Sequence, residues 1–459
     1  MAEYDLTPVA VPHVQTRYRT IRTPLPVPES LPIFEELRRS EPRSMSGQPP
    51  IVWHRATGCT IEDRWGNRWI DWSSGVLIAN AGHGRPEIAA AVREAIDRPL
   101  LATYVFVHEG RATLTRMLRE IAPDPATYQV FLLSTGSEAT ENCIKLAKTY
   151  ALEKHGPEKR VIVSFQNAFH GRSLGAQLAG GNPRLKRWIG CQCPCFVQVP
   201  FPDGYKNPDT RFELFVESLE RQGLRPEQIA GVMSESFQGC GPDFFPDEYA
   251  RRLEEFCRGH DIVLIMDEVQ AGFGRSGRLF SFQHYGIQPD LIACGKGITS
   301  SLPLAAVIGR REIMDLYPPG SMTSTHSASP LAVEAAIANL KIITGERLAE
   351  RAAQLGREIL LPGLGRVQQR HRRVLGCLQG RGLVAGIQVV KPGTRAPDSA
   401  LAARINLACF HKGLLMFAPV GVAGECLKVA PPLNIPEDAL RESIDVLAEA
   451  CDDVLGKPA

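Results

Sequence analysis

Four short stretches carry residue types that can do chemistry together. Ser134-Thr135-Gly136-Ser137-Glu138 follows an apolar run and opens a helical one. A glycine and hydroxyls at a helix start offer free N–H groups and the positive end of a dipole, which suit a phosphate, although Ser and Thr there are also ordinary caps. Phe169-His170-Gly171-Arg172 supplies an aromatic ring beside a cation. Asp267-Glu268-Val269-Gln270 closes the apolar run 262–266, and a carboxylate ending a buried strand must be neutralised or paired. Gly295-Lys296-Gly297 ends another apolar run, and a lysine withdrawn from water there has its pKa lowered toward that of a nucleophile and base. A phosphate cradle, an aromatic, a buried acid and a desolvated lysine together answer the needs of pyridoxal 5′-phosphate. The acid keeps the ring nitrogen protonated, so the ring drains electrons from a carbanion at the substrate Cα. The lysine holds the cofactor as a Schiff base and moves the proton.

The elements that must position these residues are visible as a change of pattern after residue 130. Apolar runs at 130–133, 161–163, 231–233, 262–266 and 291–293 alternate with helix-length amphipathic stretches, such as 248–260. Strands apolar throughout are buried on both faces, which predicts a parallel sheet covered by helices, with ligands outside its carboxyl ends. Helical stretches at 333–343 and 348–359, then a strand near 384–390, predict a smaller α+β domain toward the C-terminus. Trp65-Gly66-Asn67 marks a hairpin turn. The first 50 residues, broken by Pro8, Pro12, Pro24, Pro26, Pro28 and Pro32, read as an extended arm lying on another domain or a partner subunit. The expected division is 1–50 as arm, 51–90 as the first part of a small domain, 91–335 as a large cofactor-binding domain, and 336–459 as the rest of the small one.

Composition excludes several classes. Of 459 residues 44% are hydrophobic and 22% charged, an ordinary globular balance that rules out a disordered chain. A formal charge of +2 gives no reason to expect nucleic acid or an anionic membrane as partner. No apolar run approaches the roughly 18 residues of a membrane helix, and the acidic start Met1-Ala2-Glu3-Tyr4-Asp5 lacks signal-peptide features. Twelve cysteines in a chain this long read as free thiols of a reducing compartment, so a cytoplasmic enzyme is expected. Cys191-Gln192-Cys193-Pro194-Cys195 lacks a fourth ligand at finger-like spacing, so no metal is expected there.

The four motifs in this order, with Ala271-Gly272-Phe273-Gly274-Arg275-Ser276-Gly277 continuing the third, resemble the class III pyridoxal-phosphate aminotransferases, which include the 4-aminobutyrate and ornithine enzymes. The resemblance runs from about residue 50 to the C-terminus. It implies an α/β fold-type-I homodimer with shared active sites, its large domain built on a mostly parallel seven-stranded sheet between helices. The smaller α+β domain would be built from N- and C-terminal segments. By the same resemblance Gly136 and Ser137 hold the phosphate, Phe169 stacks on the ring and Val269 packs on its other face. Asp267 pairs with the ring nitrogen, Gln270 reaches the ring hydroxyl, Lys296 forms the Schiff base, and His170 and Glu235 belong to the same shell. His170 and His326 are read as structuring their loops. Thr325 matches the threonine that reaches the phosphate from the neighbouring subunit, although Ala328-Ser329-Pro330 departs from the usual Gly-Asn-Pro.

Arg172 matches a position that binds the distal substrate carboxylate in 4-aminobutyrate aminotransferases. Gly75-Val76-Leu77 and Tyr104-Val105-Phe106 match pocket-lining segments, and their apolar character points to an uncharged substrate body. Two departures bear on the acceptor. Lys428 stands where relatives carry the arginine that grips the α-carboxylate, and Cys240 where ω-amino enzymes carry the glutamate that masks that arginine. Removing one partner of a buried pair makes the other a liability, so the two changes belong together. The expected reaction moves an amino group from an amine or ω-amino acid to pyruvate, glyoxylate or an aldehyde. The alternative is an amino-acid racemase or amine epimerase of the same family, which needs no keto acid.

Overall fold

Seven segments between residues 128 and 310 pair into one sheet in a computed structural model that describes residues 4–191 and 193–456. They are β1 (Tyr128–Leu133), β2 (Val161–Phe165), β3 (Phe196–Val199), β4 (Ile229–Glu235), β5 (Val263–Asp267), β6 (Leu291–Cys294) and β7 (Ala305–Arg310). Their spatial order is β1-β7-β6-β5-β4-β2-β3. All neighbours are parallel except β7, which runs antiparallel to both β6 and β1. The five expected apolar runs are β1, β2, β4, β5 and β6; β3 and β7 were not anticipated.

This sheet is the core of a compact unit spanning Pro86–Ala349. Helix α1 (Gly136–His155) lies on it through Ala139, Cys143, Leu146, Ala147 and Tyr150, spaced three or four residues apart. Gly231 of β4 lets that helix come close, since a Cβ there would sit 3.2 Å from the Ala147 methyl. Ile162, Met233, Ile265 and Val307 are wholly shielded, each contributing about 1.5–3 kcal/mol by leaving water. A later helix, α2 (Pro330–Gly345), is apolar nearly all round, and residue 335 lies inside it.

The residues before Pro86 and after Ala349 form a second compact unit. Its hairpin pairs Thr60–Glu62 with Arg68–Asp71, and Asp63 closes the turn by accepting from the N–H groups of Trp65 and Asn67, both at 2.9 Å. Trp69 stacks on Phe410 at 5.5 Å and donates its indole N–H to the Phe410 carbonyl at 2.9 Å. A three-stranded antiparallel sheet joins Leu375–Arg381, Val384–Val389 and Cys426–Val429. The proline-rich arm is only partly extended. Leu31–Ser40 is a ten-residue helix that begins where the prolines end, with Pro32 in its first turn, where a missing N–H costs nothing. Tyr4, Thr16, Tyr18 and Arg19 bond to Asn406, Asp438 and Glu442, so the arm is stitched onto its own unit.

In the same unit Ser74, Gly75, Val76 and Leu77 form a left-handed turn, with φ of +50°, +59°, +64° and +62°. L-residues resist this by about 1–2 kcal/mol each. Asp71 holds the turn by accepting from the Ser73 N–H and hydroxyl at 2.7 and 2.6 Å, and Ser74 donates to the Ala430 carbonyl at 2.6 Å. Leu77 is buried, whereas Val76 remains 44% exposed. No helix among the described residues is long and apolar enough to cross a membrane.

Candidate active site

The carboxyl ends of β1, β2, β4, β5 and β6 converge on one row of polar residues, where an open parallel sheet offers its crevice. At the end of β1, Thr135 caps α1: its hydroxyl accepts the Glu138 N–H at 3.2 Å, and Glu138 reaches back to the Ser134 N–H at 2.8 Å. Gly136 and Ser137 thus stand at the first turn of a 20-residue helix, where backbone N–H groups and the dipole favour an anion. A Cβ on Gly136 would lie 2.7 Å from a Val269 methyl, so only glycine fits. Ser137 Oγ accepts the Arg172 N–H at 3.0 Å. Gly171, at φ +133°, brings its backbone so near that a Cβ would sit 1.9 Å from that same oxygen.

Beyond β2, the loop carrying Phe169 is held from two sides. The Phe169 N–H donates to Glu235 at 3.0 Å, and the Thr140 hydroxyl donates to the His170 carbonyl at 2.7 Å. The Arg172 guanidinium lies 5.6 Å from the Phe169 ring centroid and is exposed. Glu235, ending β4, is buried and spends its other oxygen on the Gly239 N–H at 2.8 Å. Burial raises its pKa to about 7, with His170 opposing and Asp267 adding to the shift. Cys240 follows, half-buried.

Asp267 ends β5 directly beside Glu235 in the parallel register. One carboxylate oxygen accepts the Val269 N–H at 3.0 Å and the other meets His170 Nδ1 at 2.8 Å. Burial works against a charged His170, but the hydrogen bond and charge of Asp267, with Glu235 behind, outweigh it and hold the imidazole pKa above its usual value. His170 Nε2 is buried without a partner. Glu268 points the other way, accepting from the Ser236 hydroxyl and from the N–H groups of Ser281 and Phe282 at 2.8 and 3.0 Å, and burial lifts its pKa to about 7. Gln270 approaches Gly239, where a Cβ would sit 2.1 Å from its amide nitrogen.

After β6 the chain turns sharply at Lys296, whose φ is +42°. Gly295 allows this turn to press on Val269, at 3.2 Å from a would-be Cβ, so Val269 packs against both the Gly136 and Gly295 loops. Desolvation lowers the Lys296 pKa, while the charges of Asp267 and Glu235 pull the other way. Asn339 of α2, wholly buried, donates to the carbonyls of Gly297 and Ile298 at 2.9 Å each. Sequence reasoning missed Asn339, although a lone amide in the run Ala335-Ala336-Ile337-Ala338-Asn339-Leu340 was a usable signal. It missed Thr140 and the structural role of Glu268 as well.

Gly136, Ser137, Phe169, His170, Arg172, Glu235, Asp267, Val269, Gln270 and Lys296 are therefore brought together within one unit. Thr325 is not drawn in; it lies exposed in a turn that His108 anchors by bonding the Ala328 carbonyl at 2.9 Å. Val76 and Lys428 belong to the other unit, where Lys428 is 2% exposed and lies 5.9 Å from the Phe417 ring centroid. The arrangement fits a flat anionic ring: a helix-start cradle, glycines that let Val269 and Ser137 close in beside it, a hydrogen-bonded acid–imidazole pair and a lysine whose pKa is lowered by desolvation. Among the described residues no group of three or more His, Cys, Asp or Glu is placed to hold a metal ion.

Comparison with known proteins agrees. The family model of aminotransferase class-III matches residues 43–451. The 4-aminobutyrate aminotransferase of Mycobacterium leprae is 32% identical over 448 residues, covering 95% of this chain and 98% of that protein. An alanine/serine racemase of Pyrococcus horikoshii is 31% identical, covering 88% of this chain and 86% of its own. Among solved structures, an (S)-enantioselective omega-transaminase from Thermomicrobium roseum superposes with a TM-score of 0.82 at 32% identity, over 92% of this chain and 95% of that one. The chain belongs to the class-III aminotransferases, enzymes that work with pyridoxal 5′-phosphate.

Proposed function

We propose that this aminotransferase takes its amino group from an amine or ω-amino acid with an apolar body and delivers it to a small keto acid or an aldehyde. The observation that carries the site assignment is the strand-end row itself, with Lys296 following β6 and, on the neighbouring β5, Asp267 paired with His170 from the loop after β2. Bound there, pyridoxal 5′-phosphate supplies an electron sink for the carbanion at the substrate Cα. Gly136 and Ser137 would take its phosphate, Phe169 and Val269 would flank its ring, and Gln270 would meet its hydroxyl. Asp267, hydrogen-bonded to His170 at 2.8 Å, would face the ring nitrogen. Glu235 fixes the backbone of Phe169 and the Gly239 turn in their places. Lys296 Nζ would hold the group and would carry the proton to and from the substrate Cα, a task that its lowered pKa suits.

Arg172 receives a distal carboxylate where the donor has one. Lys428 receives the carboxylate of the acceptor as a point charge, and Cys240 replaces the acid that ω-amino enzymes carry at that position. Val76 lines the apolar part of the substrate site. Thr325 serves the phosphate of a second copy, which makes the working enzyme a homodimer with shared sites; its exposure in one chain supports that reading. Twelve unbridged cysteines support a reducing, cytoplasmic setting.

The visible band of the loaded enzyme should be followed while amines and amino acids are added without any keto acid. Loss of the band with one equivalent of carbonyl product identifies a donor. A band that persists while the substrate exchanges its Cα proton with solvent deuterium would instead favour the racemase reading, which the Pyrococcus horikoshii relative and the Cys240 and Lys428 departures keep in second place.

A further inference from the structure

The three-stranded sheet of the second unit has two unlike faces. Residues opposite one another across antiparallel strands project to the same side, and the side alternates along each strand. Leu378, Ile387 and Leu427 share one face, and the alternation puts Leu378 and Leu427 directly opposite Ile387. The other face carries Gln379 opposite Gly386, Gly386 opposite Lys428, and Gln388 opposite Cys426. This second face thus sets two amides and an ammonium beside Gly386 and Cys426. It is nonetheless buried: Lys428 is 2% exposed, Gln388 4% and Cys426 0%.

Gln388 and Lys428 are diagonal neighbours on that face, a separation of about 7–8 Å that two long side chains can close. Gly386, directly across from Lys428, adds no side chain of its own beside the lysine stem. Gln388 Oε1 is buried and has no hydrogen-bond partner. An unpaired buried amide end costs about 1–3 kcal/mol, which a polar ligand reaching it would recover. Rotating the amide exchanges its oxygen and its NH2 in nearly the same space, so the open end can donate as well as accept.

We infer that Gln388 is a specificity-determining residue that, with Lys428, binds the carboxylate of a small keto acid acceptor, the amide N–H on one oxygen and the ammonium on the other. This rests on the role proposed above for Lys428. An arginine grips both oxygens with one fork; a lysine and a glutamine on one sheet face divide the same work between two side chains.

The test compares pyruvate with an uncharged aldehyde as acceptor, at a fixed donor that has no carboxylate. The wild-type enzyme must first turn over with each; failure there would overturn the proposed aminotransferase reading, not the role of Gln388. In Gln388→Glu the new carboxylate pairs with Lys428 and repels the ligand's, so KM for pyruvate should rise about tenfold relative to KM for the aldehyde. In Gln388→Met, which keeps the length and loses the amide, the ratio should move in the same direction by about threefold, with kcat for pyruvate within a factor of about two. As a measurement free of variants, propionate should inhibit the wild type competitively against pyruvate, and propionamide should not. Equal changes in KM for both acceptors, an unmoved ratio in both variants, or equal inhibition by propionate and propionamide would overturn the inference.

Discussion

Asn339 offers a direct test of how Lys296 is positioned. Its amide donates to two carbonyls, Gly297 and Ile298, at 2.9 Å each, while its own oxygen has no partner. The residue is therefore present for its two donors. They brace a turn in which Lys296 and Ser300 sit at φ +42° and +54°, conformations that cost about 1–3 kcal/mol each when nothing holds them. Asn339→Leu keeps the volume and leaves two buried carbonyls unpaired, at about 1–3 kcal/mol apiece. Allowing for partial relaxation, the local stability of the turn should fall by about 2–4 kcal/mol. Hydrogen exchange read by mass spectrometry over residues 295–300 should then accelerate about 30- to 1000-fold, with turnover reduced in step. Asn339→Asp should do worse, and in a pH-dependent way. A carboxylate facing two carbonyl oxygens must be protonated to donate, so its folded pKa is raised above the unfolded value near 4. The variant should lose about 1.4 kcal/mol per pH unit as pH climbs from there toward the folded pKa. Protection of 295–300 unchanged within threefold in Asn339→Leu, or a flat pH profile in Asn339→Asp, would refute the reasoning.

Four further outcomes are expected. Lys296→Ala should bind cofactor without a borohydride-trappable bond and lose turnover, so retained activity would remove Lys296 from the chemistry. Glu235 has a pKa raised to about 7 by burial, so the folded state binds its proton more tightly than the unfolded chain. Stability from this group is therefore present at low pH and lost between about 4.5 and 7, on the order of 3 kcal/mol; urea unfolding of Glu235→Gln should show a shallower decline over that window. Arg172→Ala should raise KM about tenfold for donors with a distal carboxylate relative to simple amines, and parallel changes would place Arg172 outside the substrate site. Cys240→Glu combined with Lys428→Arg should improve kcat/KM for 2-oxoglutarate, and no gain would dismiss the account of the missing pair.

Much of the site is legible in sequence because its parts are local. A helix cap, a strand-terminating acid and a lysine between glycines each announce themselves within a few residues, and apolar runs locate the strands that carry them. What escapes is whatever depends on direction or distance. Ala305-Ala306-Val307-Ile308 is as apolar as its neighbours, and nothing in its pattern says that β7 runs against them. Asn339 reaches back more than 40 residues to the Gly297 carbonyl, a link that periodicity does not register. Glu268 stands beside Asp267 in the motif, yet the alternation of a strand sends it to Ser236, Ser281 and Phe282 instead. The helix Leu31–Ser40 was hidden by the prolines before it, which mark where a helix begins as readily as they prevent one.

The left-handed turn at Ser74–Leu77 bears on how this enzyme can change. Leu77 is repaid for this backbone by burial and Ser74 by its hydrogen bond, but Val76 is not, and Val76→Gly should stabilise the fold by up to about 1 kcal/mol through relief of that backbone. Val76 holds this backbone with nearly half its surface in water, so its side chain adds little to the fold. Because Asp71, Ser73 and Ser74 carry the conformation through their own hydrogen bonds, position 76 is free to exchange one side chain for another at little cost in foldability. The turn thus works as a display mount whose frame and cargo can change independently, and on the substrate role proposed for Val76, variation in the amine that is accepted should collect at its crest before it reaches the strand ends.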